Sequence, residues 1–146
     1  MIQVGSGAAI HRALPESNPL SYFERLTVFR VLLRAMNIGS ERYCVIPFPI
    51  EEPSEVQDFL PSTVTVFTTT YDAWNEQKIR VLQDLGYPVV NLWSRQHKAV
   101  AGQDVRQYLR EDNPAWRALV PDAVAGILLE LNIAERLRTL APPGKS

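Results

Sequence analysis

The residues best placed to do chemistry lie in one stretch, WSRQHKAVAGQDVR at positions 93–106. Gly102 is predicted to open a helix there, and the free amides and positive dipole end of a helix N-terminus favour an anion. The basic side chains near that glycine are Arg95, His97, Lys98 and Arg106. This pattern is typical of a phosphate-binding site, with Lys98, Gly102 and Arg106 as its ligands. The alternative is a solvated loop with scattered charges, and the spacing alone leaves both interpretations open.

Other reaction types find little support in the sequence. A hydrolase triad needs a nucleophile beside an oriented histidine, but His11 and His97 are the only histidines and neither lies near a nucleophile-elbow pattern. One cysteine and two distant histidines do not form a zinc cluster, so no metal ligand is predicted. The GSG at positions 5–7 lacks the third glycine and the length of a dinucleotide-binding motif, and no Walker A sequence is present. Catalytic residues therefore stay unassigned.

The composition predicts one domain that works without nucleic acid or a membrane. The 146 residues and the 46% hydrophobic content suit a single core. The net charge of −1 comes from 15 basic and 16 acidic residues that are interspersed, which gives no field to attract nucleic acid or anionic lipid. No apolar run approaches the roughly 18 residues that span a bilayer. With Cys44 as the only cysteine, we expect a cytoplasmic protein with a domain at residues 1–140 and a disordered tail at 141–146.

The apolar pattern predicts alternating strands and helices between residues 1 and 92. The predicted strands are 2–4, 43–48, 62–70 and 88–93. Strands separated by helices of this length imply βαβ units and a parallel sheet. Ligands bind beyond the carboxyl ends of such strands, so the residues that follow each strand are the informative ones.

The first helix is predicted from both of its ends. Ser21 and Glu24 have the spacing of a capping box, and Asn37 with Gly39 stops the helix that follows. The apolar residues of this helix recur every three or four positions and predict one inward stripe. The stripe consists of Tyr22, Leu26, Phe29, Leu33 and Met36.

The later helices follow from the same kind of signal. Asp72 caps a helix that stops at Gly86, one short helix lies within 49–61, and the chain is helical from residue 102 onward. The three tryptophans stand beside apolar positions, which predicts core anchors rather than base-stacking platforms. They are Trp74, Trp93 and Trp116.

Four stretches together resemble one protein family. They are VGSG (4–7), NPLSYFER (18–25), AGQDVR (101–106) and WRALVPDAVAGILLELNIAERLRTL (116–140). In order and at similar spacing they resemble the archaeal-type nicotinamide mononucleotide (NMN) adenylyltransferases of the cytidylyltransferase-like nucleotidyltransferase superfamily. The resemblance is strongest in NPLSYFER, where the family has an Asn-Pro-Phe-Thr start and a Glu-Arg in the same register, and in the C-terminal LVP helix with its closing ERL.

The resemblance implies a fold, a reaction and a set of site residues. The fold is Rossmann-like, an α/β parallel sheet flanked by helices with a C-terminal helical segment. The reaction transfers AMP from ATP to a mononucleotide with Mg²⁺ and releases pyrophosphate, and it relies on positioning and charge neutralisation. Arg106 would hold the ATP phosphates. The implied nucleotide-binding residues are Gly5 and Ser6 in the cleft, His11 or Arg12 over the phosphates, and Thr68 after its strand.

The sequence also departs from the family pattern. It contains no His-x-Gly-His, the family signature that follows the first strand. The chain is therefore expected to start at the family's second strand, without the first βα unit and its histidines. The phosphate-site serine and threonine of the family are Ala101 and Gln103 here, the usual Thr-Gly-Asn is Thr68–Thr70, and the nicotinamide-stacking tryptophan has no counterpart near 51–56.

A missing central strand would leave backbone edges unpaired. The strands affected are IQVGSG and TVTVFT, and each unmade hydrogen bond there costs on the order of 1–3 kcal/mol. We therefore expect that another polypeptide supplies the strand, that a second copy covers the edge as in a homodimer, or that the strands close up in a new order.

Three functional hypotheses remain open. The first is a nucleotide-binding module that is incomplete or degenerate in catalysis. The second is an active adenylyltransferase that another chain or a second copy completes. The third is a repurposed enzyme that acts on a nucleotide-like metabolite. A scaffold does not by itself carry function, so the sequence decides neither among these three nor which mononucleotide is bound.

Overall fold

In the part of the chain that the structure describes, four strands form two parallel pairs. A computed structural model describes residues 2–5, 16–95 and 100–140, so the predicted tail at 141–146 lies outside the described residues. The strands are β1 (Ile2–Gly5), β2 (Val45–Phe48), β3 (Val66–Thr70) and β4 (Val89–Ser94). β1 pairs with β2 and β3 pairs with β4, both in parallel register. Within the described ranges, each strand has one partner, so β1 and β3 both keep a free edge.

Helices flank these pairs and dominate the C-terminal part. They are α1 (Tyr22–Ala35), α2 (Pro53–Phe59), α3 (Ala73–Asp84), α4 (Gly102–Arg110), α5 (Asp122–Glu130) and α6 (Ile133–Leu140). Two short 3₁₀ turns cover Ser40–Arg42 and Pro114–Leu119. This arrangement confirms the predicted α/β, Rossmann-like class. None of these helices has both the length and the apolar character needed to cross a membrane.

Local signals set the ends of the helices as predicted. The Ser21 hydroxyl accepts a hydrogen bond from the Glu24 amide at 3.2 Å, and the Glu24 carboxylate accepts one from the Ser21 amide at 2.8 Å, which completes a capping box. Asp72 accepts from the Asn75 amide at 2.8 Å and caps α3 in the same way. Asn37 ends α1 with a φ of 57°, and Gly86 follows α3 with a φ of 86°.

One apolar cluster joins the two strand pairs through side chains. Phe48 at the end of β2 and Val66 at the start of β3 both belong to it, although their strands do not pair. Its best-buried members are Val56, Leu60 and Leu82, each with no exposed surface. The Tyr87 hydroxyl donates a hydrogen bond to the Leu60 carbonyl and so satisfies the polar end of a buried ring.

A second cluster packs the C-terminal helices against α1. Its buried members are Leu109, Trp116, Val124, Ala125, Leu128, Ile133 and Leu137. Val28 and Leu32 of α1, neither of which belongs to the predicted stripe, pack on this cluster, whereas within the stripe Leu33 is buried and Met36 is 59% exposed. The stripe prediction was therefore wrong at Met36, which is the C-cap that follows Ala35, the last residue of α1.

The second strand pair has an uncovered apolar face. Phe67 on β3 is directly opposite Val90 on β4, and the two side chains are 63% and 42% exposed. Leu92, two residues further along β4 and next to a shift in the register of the pair, is 59% exposed. Two of the predicted core tryptophans are also exposed, Trp74 by 46% and Trp93 by 39%, so that prediction holds only for the buried Trp116. Trp74 is exposed although it lines a cavity with the buried Leu82, and Trp93 lies on β4, whose residues are exposed from Val90 to Ser94.

Candidate functional site

The start of α4 is a helix N-terminus without a capping side chain. Ala101 occupies the N-cap position and provides no side-chain hydrogen bond, whereas α1 and α3 are capped by Ser21 and Asp72. The amides of Gly102 and Gln103 donate to no other described residue. Free amides at the positive end of a helix dipole attract an anion. The local backbone therefore suits a phosphate group.

Arg106 lies directly against this helix start. Its Nη1 would lie 3.2 Å from a Cβ placed on Gly102, so a glycine leaves room for the guanidinium there. The side chain is half-buried and makes no hydrogen bond or ion pair with any other described residue. The structure thus brings together two of the three predicted phosphate ligands. The third, Lys98, lies outside the described residues.

Two cavities meet at Arg106. The first has a volume of about 380 Å³ and is mainly apolar, with walls from Pro19, Leu20, Val105, Leu109, Val120, Leu128 and Ile133. The second has a volume of about 620 Å³ and is polar, with walls from Glu16, Gln103, Gln107, Arg110 and Glu111. Ser17 and Arg106 line both, which makes the two cavities neighbours. An apolar space and a polar space on either side of one arginine suit a base and a phosphate chain.

The polar cavity contains a second arginine that the sequence analysis missed. Arg110 follows Arg106 by four residues, which places both on one face of α4, and this spacing could have been recognised in the sequence. Arg110 donates a hydrogen bond to the carboxylate of Glu16, a partner that no sequence pattern indicates because it lies 94 residues away. Glu111 accepts from the Gln107 side chain at 3.0 Å.

The other predicted site residues lie elsewhere or outside the described ranges. Thr68, 8% exposed, lines a cavity of about 420 Å³ that shares no lining residue with the two beside Arg106. Gly5 is the last residue of β1, opposite Phe48. Arg95 lies over the Trp93 ring, with 4.6 Å from its Cζ to the ring centroid. Ser6, His11 and Arg12 lie outside the described residues.

Two of the four stretches that carry the resemblance are joined by an ion pair. Arg136 of α6 donates two hydrogen bonds of 2.7 Å to the Glu24 carboxylate and a third, of 2.9 Å, to the carbonyl of Pro19. Both side chains are largely buried, and the hydrogen bonds from Arg136 lower the pKa of Glu24. Because Pro19 lines the apolar cavity, this pair holds a wall of the site in place.

Comparison with known proteins identifies nucleotidyltransferases. No protein-family model matches the chain. It is 36% identical over 127 residues to the phosphonoformate cytidylyltransferase of Streptomyces viridochromogenes. The aligned residues make up 87% of the chain and 68% of that protein. It is 30% identical over 129 residues to the nicotinamide-nucleotide adenylyltransferase of Pyrobaculum neutrophilum, with coverages of 85% and 70%. The corresponding enzyme of Ignicoccus hospitalis is 26% identical over 147 residues, with coverages of 97% and 81%.

Proposed function

Because the chain belongs to the nucleotidyltransferase superfamily that includes these cytidylyl- and adenylyltransferases, we propose that the start of α4 binds the phosphates of a nucleoside triphosphate. The observation that carries this proposal is the contact between Arg106 and Gly102. A guanidinium without a described partner lies beside two free amides at an uncapped helix start. Phosphate oxygens satisfy both kinds of donor at once.

The two cavities support a proposed place for each part of the nucleotide. The base occupies the apolar cavity of about 380 Å³, and the phosphate chain runs past Arg106 into the polar cavity of about 620 Å³. The family resemblance implies that the nucleotide is ATP. The phosphonoformate cytidylyltransferase that is 36% identical is named for the transfer of a cytidylyl group instead. Both ATP and CTP are therefore candidate substrates, and the acceptor is NMN or a phosphonate such as phosphonoformate.

Magnesium fits this site as an ion that arrives with the nucleotide. Within the described ranges, no group of three histidine, cysteine, aspartate or glutamate side chains is arranged to hold a metal. The carboxylates that line the polar cavity are Glu16 and Glu111, and both accept hydrogen bonds from neighbouring side chains. Magnesium keeps several waters and binds mainly to substrate phosphates in many phosphoryl-transfer sites. When bound, it would neutralise charge on the triphosphate.

Of the three functional hypotheses, we favour the first, a nucleotide-binding module that needs further groups for catalysis. Arg106 and the amides of α4 hold phosphates, but neither moves a proton, and the chain has no His-x-Gly-His. The active alternative is supported by a specific observation. The free edges of β1 and β3 and the exposed side chains of Phe67, Val90 and Leu92 offer a place where a partner chain or a second copy would complete the sheet. The cytoplasmic location stays a prediction.

Calorimetry on the full chain tests the binding proposal. ATP and CTP are titrated with Mg²⁺ into the unaltered protein, into Arg106→Ala and into a control, Arg34→Ala, whose side chain is exposed on α1. We expect Arg106→Ala to weaken binding by at least about tenfold, since charge-assisted hydrogen bonds are lost, while the melting temperature and the control stay unchanged. Absence of binding to the unaltered protein, or equal affinity in Arg106→Ala, contradicts the proposal.

Pyrophosphate release separates the three functional hypotheses. It is measured with ATP or CTP in the presence of NMN or phosphonoformate, together with the molar mass by light scattering. Binding without release by a monomer supports the module. Release that rises with the dimer fraction supports the completed enzyme, and nucleotide breakdown without an acceptor supports the repurposed enzyme.

A further inference from the structure

Arg106 and Arg110 form a pair of cations along one wall of the polar cavity. They are four residues apart on α4, so their backbone positions differ by about 6 Å along the helix axis and their side chains lie on one face. A single phosphate held by the amides at the start of α4 and by Arg106 lies about one helical turn from Arg110, whereas a chain of phosphates extends from one arginine to the other. The length of the phosphate chain is therefore a property that this cavity can recognise.

The described side chains use only part of the donor capacity of this pair. Arg106 has no described partner, and the Nε of Arg110 is buried without a hydrogen bond. Glu16 accepts from the other end of the Arg110 guanidinium, and both side chains of that ion pair are 35% exposed. Glu111, the other carboxylate on the wall, is engaged by Gln107. Gln107 is neutral, so Glu111 keeps its charge in the cavity, but in the part of the chain that the structure describes Glu16 is the carboxylate that bonds to one of the two guanidiniums.

We propose that Arg110 is a second phosphate-binding residue and that the Glu16 carboxylate occupies it until a nucleotide displaces it. The inference rests on the proposed function and adds the recognition of phosphate-chain length. A triphosphate brings several oxyanions to the cavity and bonds to Arg106 and Arg110 together, which one carboxylate does not do. The same charge repels Glu16, so Glu16 leaves Arg110 as the phosphates arrive. Glu16 therefore lowers the affinity for every ligand that is long enough to reach Arg110.

Inorganic tripolyphosphate and orthophosphate test this inference without depending on the base. Their affinities are measured by calorimetry for the unaltered chain, Arg110→Gln, Glu16→Gln and the double variant. Arg110→Gln is expected to weaken tripolyphosphate binding by about tenfold and to leave orthophosphate within about twofold. Glu16→Gln is expected to strengthen tripolyphosphate binding by about two- to fivefold, and this gain disappears when Arg110 is also replaced.

The controls keep this inference separate from the proposed function. Equal effects of Arg110→Gln on both anions, or no gain in Glu16→Gln, overturn the inference while loss of binding in Arg106→Ala still supports the function. If Arg106→Ala binds nucleotide as tightly as the unaltered chain, the proposed function itself is contradicted. If Arg110→Gln lowers the melting temperature, Arg110→Lys replaces it, because lysine keeps the charge and should retain the preference for tripolyphosphate in part. A lysine variant without that preference for the longer anion, in a folded chain, also contradicts the inference.

Discussion

Glu24 and Arg136 lie 112 residues apart in the sequence and form a two-bond ion pair, with both hydrogen bonds at 2.7 Å. Glu24 also completes the capping box of α1, and Arg136 also holds the carbonyl of Pro19. One pair of side chains therefore connects the start of α1, the wall of the apolar cavity and α6. Both residues lie in stretches that the sequence analysis compared with the nucleotidyltransferases, Glu24 in NPLSYFER and Arg136 in the C-terminal stretch.

Removal of either partner of this pair should destabilise the protein. We expect Glu24→Gln and Arg136→Gln each to lower the free energy of unfolding by about 1–3 kcal/mol, because the remaining partner loses a largely buried counterion. The double variant should lose less than the sum of the two. Urea unfolding measures all three. The exposed pair of Glu76 and Arg80, 3.7 Å apart, is the control, for which Glu76→Gln should cost at most about 0.5 kcal/mol.

The same pair should make stability depend on pH in the acid range. Hydrogen bonds from Arg136 lower the pKa of Glu24 below its ordinary value of 4.5 in the folded protein. A lowered carboxylate pKa contributes stability that is complete above 4.5 and is lost as the pH falls through the lower, folded value. Urea unfolding of the unaltered chain and Glu24→Gln between about pH 7 and about pH 3 should show a difference that shrinks only at the acid end. A difference that stays constant over the whole range would contradict this assignment.

The end of α1 offers a stabilising substitution. Asn37 has a φ of 57°, a left-handed conformation in which a side chain is unfavourable and glycine is preferred. Asn37→Gly should raise the free energy of unfolding by about 0.5 kcal/mol, whereas Asn37→Ala should lower it by a similar amount. Thermal unfolding of the two variants gives the comparison. Equal stability of the glycine and alanine variants would show that residue 37 does not keep its positive φ in solution.

Two leucines test where the core ends. Leu82 on α3 has no exposed surface, whereas Leu92 on β4 is 59% exposed. Leu82→Ala should lower the free energy of unfolding by about 2–5 kcal/mol, because it leaves a cavity, and Leu92→Ala should change it by less than about 0.5 kcal/mol. If Leu92→Ala proves strongly destabilising, the face of Phe67, Val90 and Leu92 is covered in solution. Light scattering would then identify whether a second copy covers it.

The parts of the fold that depend on neighbouring residues could be predicted from the sequence. The capping box of Ser21 and Glu24, the Asp72 cap and the stop at Gly86 are all set within one helical turn. The third strand was predicted over 62–70 but pairs only from Val66, because Val64 is part of a turn in which its amide bonds to the Pro61 carbonyl. Exposure of Trp74 and Trp93 depends on which elements cover them, and periodicity does not contain that information.

The residues of the candidate site also fall into two groups, those that the neighbouring sequence predicts and those that only the fold brings together. The contact of Gly102 with Arg106 follows from their spacing on one helix, and Arg110 follows from the next turn. Glu16 and the wall around Pro19 come from a segment that is distant in the sequence, and only the folded chain brings them to α4. The roles of these residues in phosphate binding stay predictions.

The two strand pairs have a consequence for motion. In the part of the chain described, main-chain hydrogen bonds between strands occur inside each pair and not from one pair to the other, and the two pairs share an apolar cluster that contains Phe48 of β2 and Val66 of β3. A rotation of one pair against the other would slide these side chains and break no strand hydrogen bond. The contact between the two pairs therefore has the character of a shear interface, in which packed side chains slide past one another.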